Sequence, residues 1–75
     1  MDRTLFLANF AAQFEDTDPE EIQFSTKFHD LIEWSSLIGM CTIAMARTEY
    51  NKTISGSELK ECDTVEDLYE LINSK

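Results

Sequence analysis

The sequence predicts an all-α protein, a four-helix bundle with three main helices, one short helix and a long loop between the first two helices. Apolar residues recur at spacings of three and four near both ends of the chain, which is typical of amphipathic helices. Strand-like alternation of apolar and polar residues is absent. Each helical stretch also follows a residue suited to N-capping. The candidate caps are Asp2 or Thr4, Ser35, Ser55, and Asp63 or Thr64.

The first helix should begin near Asp2 or Thr4 and present a stripe rich in phenylalanine. Large aromatic side chains at helical spacing are typical of a core, so this stripe should face inward. The expected core residues of this helix are Phe6, Leu7, Phe10, Ala11 and Phe14.

From Glu15 to Ser35 the helical period fades, and we expect a long loop that is pinned to the core. Pro19 followed by two glutamates suits a short helical turn over residues 19–22. Long loops in compact domains are usually functional or disordered, and the spaced apolar residues favour anchoring. The expected anchors are Ile22, Phe24, Phe28 and Leu31.

Ser35 can cap a second long helix that runs from Ser36 to about Tyr50. Gly39 within it costs about 1 kcal/mol relative to alanine, which indicates a close approach by another chain or by a bulky side chain such as Trp34. The predicted buried stripe of this helix is Leu37, Met40, Ile43, Ala44 and Tyr50.

Two further helices complete the predicted bundle. Residues 55–58 offer a cap and a first turn for a short third helix around Leu59. Asp63 or Thr64 can cap the last helix, and Asp67 stands three residues after Thr64, as in a capping box. The inner stripe of the last helix should be Val65, Leu68, Tyr69 and Ile72.

Length and charge restrict the classes of function. A chain of 75 residues should form one domain over 1–75 and can bury only about 60% of its unfolded surface, which leaves little room for a catalytic cleft. A carrier, adaptor or inhibitor is therefore favoured over an enzyme. With 15 acidic and 6 basic residues the net charge is -9, which disfavours nucleic acid and favours basic partner patches. The same charge also suits a solvated surface that keeps a small protein soluble.

The cysteines and the hydropathy indicate a cytoplasmic protein without membrane insertion. Cys41 and Cys62 do not form a CxxC pair, and small secreted scaffolds usually carry several disulfides, so both thiols should be free. No stretch approaches the length of a membrane span, and no signal peptide pattern opens the chain.

Most catalytic and metal-binding patterns are missing from the sequence. His29 is the only histidine, and no serine lies in a GxSxG turn, so autonomous hydrolysis is not expected. The acidic segment that begins at Asp16 fails as a calcium loop, because Glu21 and Lys27 stand where glycine and glutamate are required. The two glycines cannot form a phosphate loop. We predict no metal site and no catalytic residue.

The remaining chemical feature is a serine at a predicted helix N-terminus. There, free N–H groups and the helix dipole would stabilise a phosphodiester attached to Ser36. Alternatively, Ser35 and Ser36 are only capping residues.

Four motifs decide between these alternatives. They are Phe28-His29-Asp30-Leu31, Glu33-Trp34-Ser35-Ser36-Leu37, Ile54-Ser55-Gly56-Ser57-Glu58-Leu59 and Thr64-Val65-Glu66-Asp67-Leu68. In order and spacing they resemble the acyl carrier protein family, four-helix carriers that bear a 4'-phosphopantetheine arm on a serine. The family motif is Asp-Ser-Leu, so the modified serine maps onto Ser36. Ser35 stands where aspartate is usual; that aspartate is thought to help hold magnesium during loading, and Glu33 and Asp30 lie nearby.

The resemblance implies a non-enzymatic carrier. A phosphopantetheinyl transferase would load Ser36 from coenzyme A, and the thiol of the arm would then carry acyl groups as thioesters. The implied partners are this transferase, an acyl-loading ligase or transferase, and a ketosynthase or other acyl-processing enzymes of fatty-acid, polyketide-like or specialised biosynthesis. We expect a monomer. The alternatives are a peptidyl carrier protein and an acidic helical adaptor with no prosthetic group.

The second helix departs from the pattern of many carriers, in which acidic residues meet basic partner patches. Here Ile38, Cys41, Met45 and Arg47 replace that pattern. This apolar face either contacts partners or packs against the 15–35 loop. If it contacts partners, we expect a specialised carrier, not the bulk fatty-acid carrier. The expected partner-recognition residues are Leu37, Ile38, Cys41 and Met45.

Overall fold

A computed structural model describes the whole chain, Met1 to Lys75, and all of its regular secondary structure is helical. The predicted all-α fold, with three main helices, a short one and a long loop, is confirmed. The helices are α1 (Arg3–Ala11), α2 (Ser36–Tyr50), α3 (Gly56–Glu61) and α4 (Val65–Asn73). Two 3-10 turns, Pro19–Glu21 and Phe28–Asp30, interrupt the loop between α1 and α2, and only the first of them was predicted.

A single cluster of 16 buried side chains holds the elements together. Phe6 of α1 meets Tyr69 of α4 edge to face, with ring centroids 5.3 Å apart. Phe10 meets Phe28 of the loop in the same way at 5.6 Å. The predicted phenylalanine stripe of α1 is confirmed, and Phe14 stays buried although it lies beyond the end of the helix.

The long loop is pinned to the core as predicted. Ile22 and Phe28 have no exposed surface, and Phe24 is half-buried. The backbone N–H groups of Val65 and Glu66 donate to loop carbonyls at 3.0 and 2.9 Å. These donors lie in the first turn of α4, where a helix offers no internal acceptors, so the loop satisfies them and is fixed in return.

The predicted buried stripe of α2 is wrong at three of its five positions. Leu37, Met40 and Ala44 were expected inside, yet they are exposed, Leu37 and Met40 at 68% and 67%. Ile43 and Tyr50 are partly buried and pack against the core.

Ile38 and Met45 were expected either to contact partners or to pack inward, and they are 7% and 4% exposed, so their assignment to partner recognition is wrong. Both candidate stripes of this helix are apolar, so hydrophobicity could not choose between them. The buried face even includes a polar residue, Thr42, whose hydroxyl donates to the carbonyl of Ile38 at 2.9 Å.

The remaining interpretations of the helix starts hold. Ser55 with Glu58, and Thr64 with Asp67, form reciprocal capping boxes at the starts of α3 and α4. The four residues predicted for the inner stripe of α4 are all buried.

Both thiols are free, and burial raises the pKa of Cys62. None of the helices combines the length and the apolar character needed to cross a bilayer.

Candidate functional site

Ser36 is the first residue of α2, and its side chain is exposed. Ser35 adopts an extended conformation before it and caps the helix, its hydroxyl oxygen accepting from the N–H of Ile38 at 3.3 Å. The N–H groups of Ser36 and Leu37 have no acceptor within the helix. The Ser36 hydroxyl is therefore presented to solvent beside two free donors.

An aromatic cluster fixes the chain just before this serine. The Trp34 ring lies 4.8 Å from the ring of Phe28, 5.1 Å from that of His29 and 6.3 Å from that of Phe14. The same indole packs beside Gly39, where a Cβ atom would lie 3.6 Å from Trp34 and 3.5 Å from Leu59. The predicted approach of Trp34 to Gly39 is confirmed, but these are ordinary van der Waals distances, so the packing does not require a glycine at this position.

His29, to which the sequence assigned no role, connects the loop to α3. Its Nε2 atom lies 3.3 Å from the carbonyl oxygen of Leu59 and donates to it in the tautomer protonated at Nε2. The acceptor is a backbone atom 30 residues away, so no sequence pattern could have indicated this contact. This hydrogen bond holds the end of the loop that precedes Ser36 against α3.

Glu33 closes the base of the loop. Its carboxylate accepts from the N–H groups of Glu15, Asp16 and Thr17 at 2.6 to 3.0 Å and from the Thr17 hydroxyl at 2.7 Å. The hydroxyl bond, and then the backbone bonds, hold the pKa of Glu33 below its usual value. Both oxygens of Glu33 are therefore engaged by the loop, whereas Asp30, the other acid close to Ser35 in the sequence, is exposed.

A groove of about 420 Å³ opens beside Ser36, between α2 and α3. Its walls carry no carboxylate, and Lys60 is their one cationic side chain. The apolar lining consists of Trp34, Met40, Ile43 and Leu59. A second hollow, also of about 420 Å³, shares Met40 and Ile43 and is completed by Ala44, Arg47 and Thr53.

Of the four predicted partner-recognition residues, the structure leaves one fully accessible. Leu37 is exposed, Cys41 is half-buried, and Ile38 and Met45 belong to the core. Two exposed apolar residues were not predicted for recognition: Met40, which lines the groove beside Ser36, and Ile32, which is fully exposed in the loop four positions before Ser36. Their exposure could not be inferred from the sequence, because both are of residue types that usually lie inside.

The residues around Ser36 fit a phosphodiester on its hydroxyl. The two free N–H groups and the N-terminal end of the α2 dipole favour a negative charge there. No carboxylate lines the adjoining groove to oppose it.

The comparisons with known proteins agree with this chemistry. A family model described as phosphopantetheine attachment site matches residues 6–72, a range that includes all of α2 and its first residue. No curated protein and no solved structure matches the chain.

Proposed function

The chain belongs to the phosphopantetheine attachment-site family, and from this premise we propose that it is an acyl carrier protein with Ser36 as the attachment residue. Members of this family carry 4'-phosphopantetheine covalently and are carriers, not enzymes. Once attached, the group supplies a thiol that holds an acyl chain as a thioester. The adaptor without a prosthetic group does not agree with the family match.

The observation that carries the assignment to Ser36 is its position as the exposed first residue of α2, beside unpaired N–H donors. Loading would form a bond between the serine oxygen and the phosphorus of the phosphopantetheinyl group of coenzyme A. It would break the bond from that phosphorus to the bridging pyrophosphate oxygen, so that adenosine 3',5'-bisphosphate leaves and the hydroxyl proton is released. The N–H groups of Ser36 and Leu37 would then donate to the new phosphodiester. Ser35 is also exposed, but its hydroxyl oxygen already accepts from Ile38 and caps the helix.

The lining of the groove favours acyl cargo over aminoacyl cargo. Trp34, Met40, Ile43 and Leu59 provide an apolar wall next to Ser36, and no carboxylate is present to pair with an ammonium group. A peptidyl carrier would need to neutralise the amine of its cargo, and this groove offers no acid for that purpose.

Partner recognition in this proposal depends on apolar contact near Ser36. Carriers of this kind meet phosphopantetheinyl transferases and acyl-processing enzymes. Ile32, Leu37 and Met40 are exposed around the attachment point, and Glu49 is the single acidic residue of α2. Such a surface suits dedicated partners with apolar pockets, which supports a specialised carrier. The single buried cluster supports one domain over 1–75, and we propose that it acts as a cytoplasmic monomer.

Intact mass tests the proposal. The chain is incubated with a permissive phosphopantetheinyl transferase, coenzyme A and magnesium, alongside the Ser36→Ala and Ser35→Ala variants. We expect one phosphopantetheine unit to be added to the wild type and to Ser35→Ala, and none to Ser36→Ala. No gain in the wild type would overturn the carrier assignment. Loading of Ser36→Ala together with failure of Ser35→Ala would move the site by one residue.

A further inference from the structure

The exposed side of α2 forms one wall of a trough that runs from Ser36 to Arg47. The groove beside Ser36 and the hollow beside Arg47 share Met40 and Ile43, so the two openings lie next to each other along α2. These four residues follow one another at spacings of four, three and four, which places them on the same side of the helix. The trough thus has the attachment serine at one end and an arginine at the other.

Arg47 is held at the end of the trough with most of its donors free. Its Nη1 atom donates to the Thr53 hydroxyl oxygen at 3.1 Å, which ties the guanidinium to the opposite wall. Arg47 takes part in neither of the two ion pairs of the chain, and no carboxylate lines either opening. A guanidinium with free donors binds a carboxylate through two parallel hydrogen bonds, so the remaining N–H groups of Arg47 suit a carboxylate.

The distance along the helix matches the length of the prosthetic group. From residue 36 to residue 47 an α-helix rises about 16 Å. The chain of atoms from the phosphorus to the sulfur of phosphopantetheine is about as long as a peptide of five residues, which spans about 16 Å when extended. A thioester at the end of a group laid along this trough would therefore lie level with Arg47.

We infer that Arg47 is a specificity-determining residue that favours acyl cargo ending in a carboxylate, that is, short dicarboxylic acyl groups. This inference rests on the proposed function, because the cargo must be attached at Ser36. The carboxylate of a short diacid lies a few bonds beyond the thioester, within reach of the guanidinium. Lys60 lines only the end of the trough at Ser36, so it is placed to pair with the phosphodiester and not with the cargo.

A matched pair of cargoes isolates the carboxylate. The apo chain is loaded by a permissive phosphopantetheinyl transferase from succinyl-coenzyme A or from butyryl-coenzyme A, two four-carbon acyl groups that differ at the terminal group. Loading is verified by intact mass. The Arg47 Nε–H signal and the Thr53 amide signal are then followed by two-dimensional NMR, and thioester cleavage by hydroxylamine is timed. The variants are Arg47→Gln, which keeps a donor for Thr53, and Lys60→Gln, which removes the other cation of the trough.

We expect the succinyl form, and not the butyryl form, to shift the Arg47 and Thr53 signals. Arg47→Gln should speed cleavage of the succinyl thioester about two- to five-fold, the range for an exposed ion pair, and leave the butyryl thioester unchanged. Lys60→Gln should affect both cargoes alike. Equal responses of the two cargoes, or a loss of discrimination in Lys60→Gln and not in Arg47→Gln, would overturn the inference while leaving the carrier function intact. Failure of the wild type to gain mass would instead overturn the carrier function itself.

Discussion

Helices α4 and α2 differ in how strongly their sequences determine which side is buried. In α4, Val65, Leu68 and Ile72 form one fully buried stripe, and charged residues lie between them. In α2 there are two apolar stripes, and the structure buries the one that includes Ile38 and Met45 while exposing the one that includes Met40. The apolar residues of α4 therefore pack only into the core, whereas α2 has one apolar face in the core and a second, exposed apolar face that begins next to Ser36.

The largest expected effect comes from replacing a methionine by alanine on each of the two faces of α2. Met45→Ala should lower the free energy of unfolding by about 2–4 kcal/mol, because it leaves a cavity in the core. Met40→Ala should change it by no more than about 0.5 kcal/mol, because that side chain is mostly in water. Urea denaturation of both variants measures the two values. Equal losses would show that the outer face of α2 is part of the core.

The starts of the two helices provide a second test. α4 begins with a capping box that includes the carboxylate of Asp67, whereas α2 begins with Ser35 and Ser36 and has no acid in its first turn. Ser35→Asp keeps a good N-cap, so stability should change by less than about 0.5 kcal/mol. An added carboxylate can bind Mg²⁺ beside Ser36, so loading by a phosphopantetheinyl transferase at limiting magnesium should become several-fold faster. An unchanged rate would mean that Ser35 does not limit loading, and Ser57→Asp in α3 is the control for added charge.

The faces of α2 were predicted in part wrongly for a physical reason. Periodicity predicted the buried stripes of α1 and α4, and the Ser, Thr and Asp residues before each helix predicted the caps. Leu37 and Met40 did not follow this pattern, because leucine and methionine are common in cores and yet both side chains lie on the surface around Ser36. Arg47 and Thr53, and His29 and Leu59, meet only through the tertiary fold, so their contacts could not be predicted from local sequence. The assignment of the attachment site to Ser36 rests on its position at a helix start and on the family motif, and it stays a prediction.

The smallest expected effect concerns acid stability and the loop that leads to Ser36. Hydrogen bonds from the Thr17 hydroxyl and then from three backbone N–H groups lower the pKa of Glu33 in the folded state. A lowered folded pKa stabilises the fold above the usual carboxyl pKa, and this stabilisation is lost as pH falls from about 4.5 through the folded value.

Glu33→Gln should therefore be less stable than the wild type at pH 7, and the gap between their urea midpoints should narrow below about pH 4.5. Glu21→Gln is the matched control, because the Glu21 carboxylate makes no hydrogen bond in the same loop. A gap for Glu33→Gln that stays constant with pH would show that the carboxylate is not what closes the loop.

The most direct test of attachment at Ser36 is to locate the prosthetic group in the loaded wild-type chain. Trypsin cleavage after Lys27 and Arg47 releases residues 28–47 as one peptide that contains both Ser35 and Ser36. Fragmentation of this peptide by tandem mass spectrometry separates the two serines. We expect the phosphopantetheine mass to lie on Ser36 in all loaded molecules. Phosphopantetheine on Ser35, or on a residue outside this peptide, would contradict it.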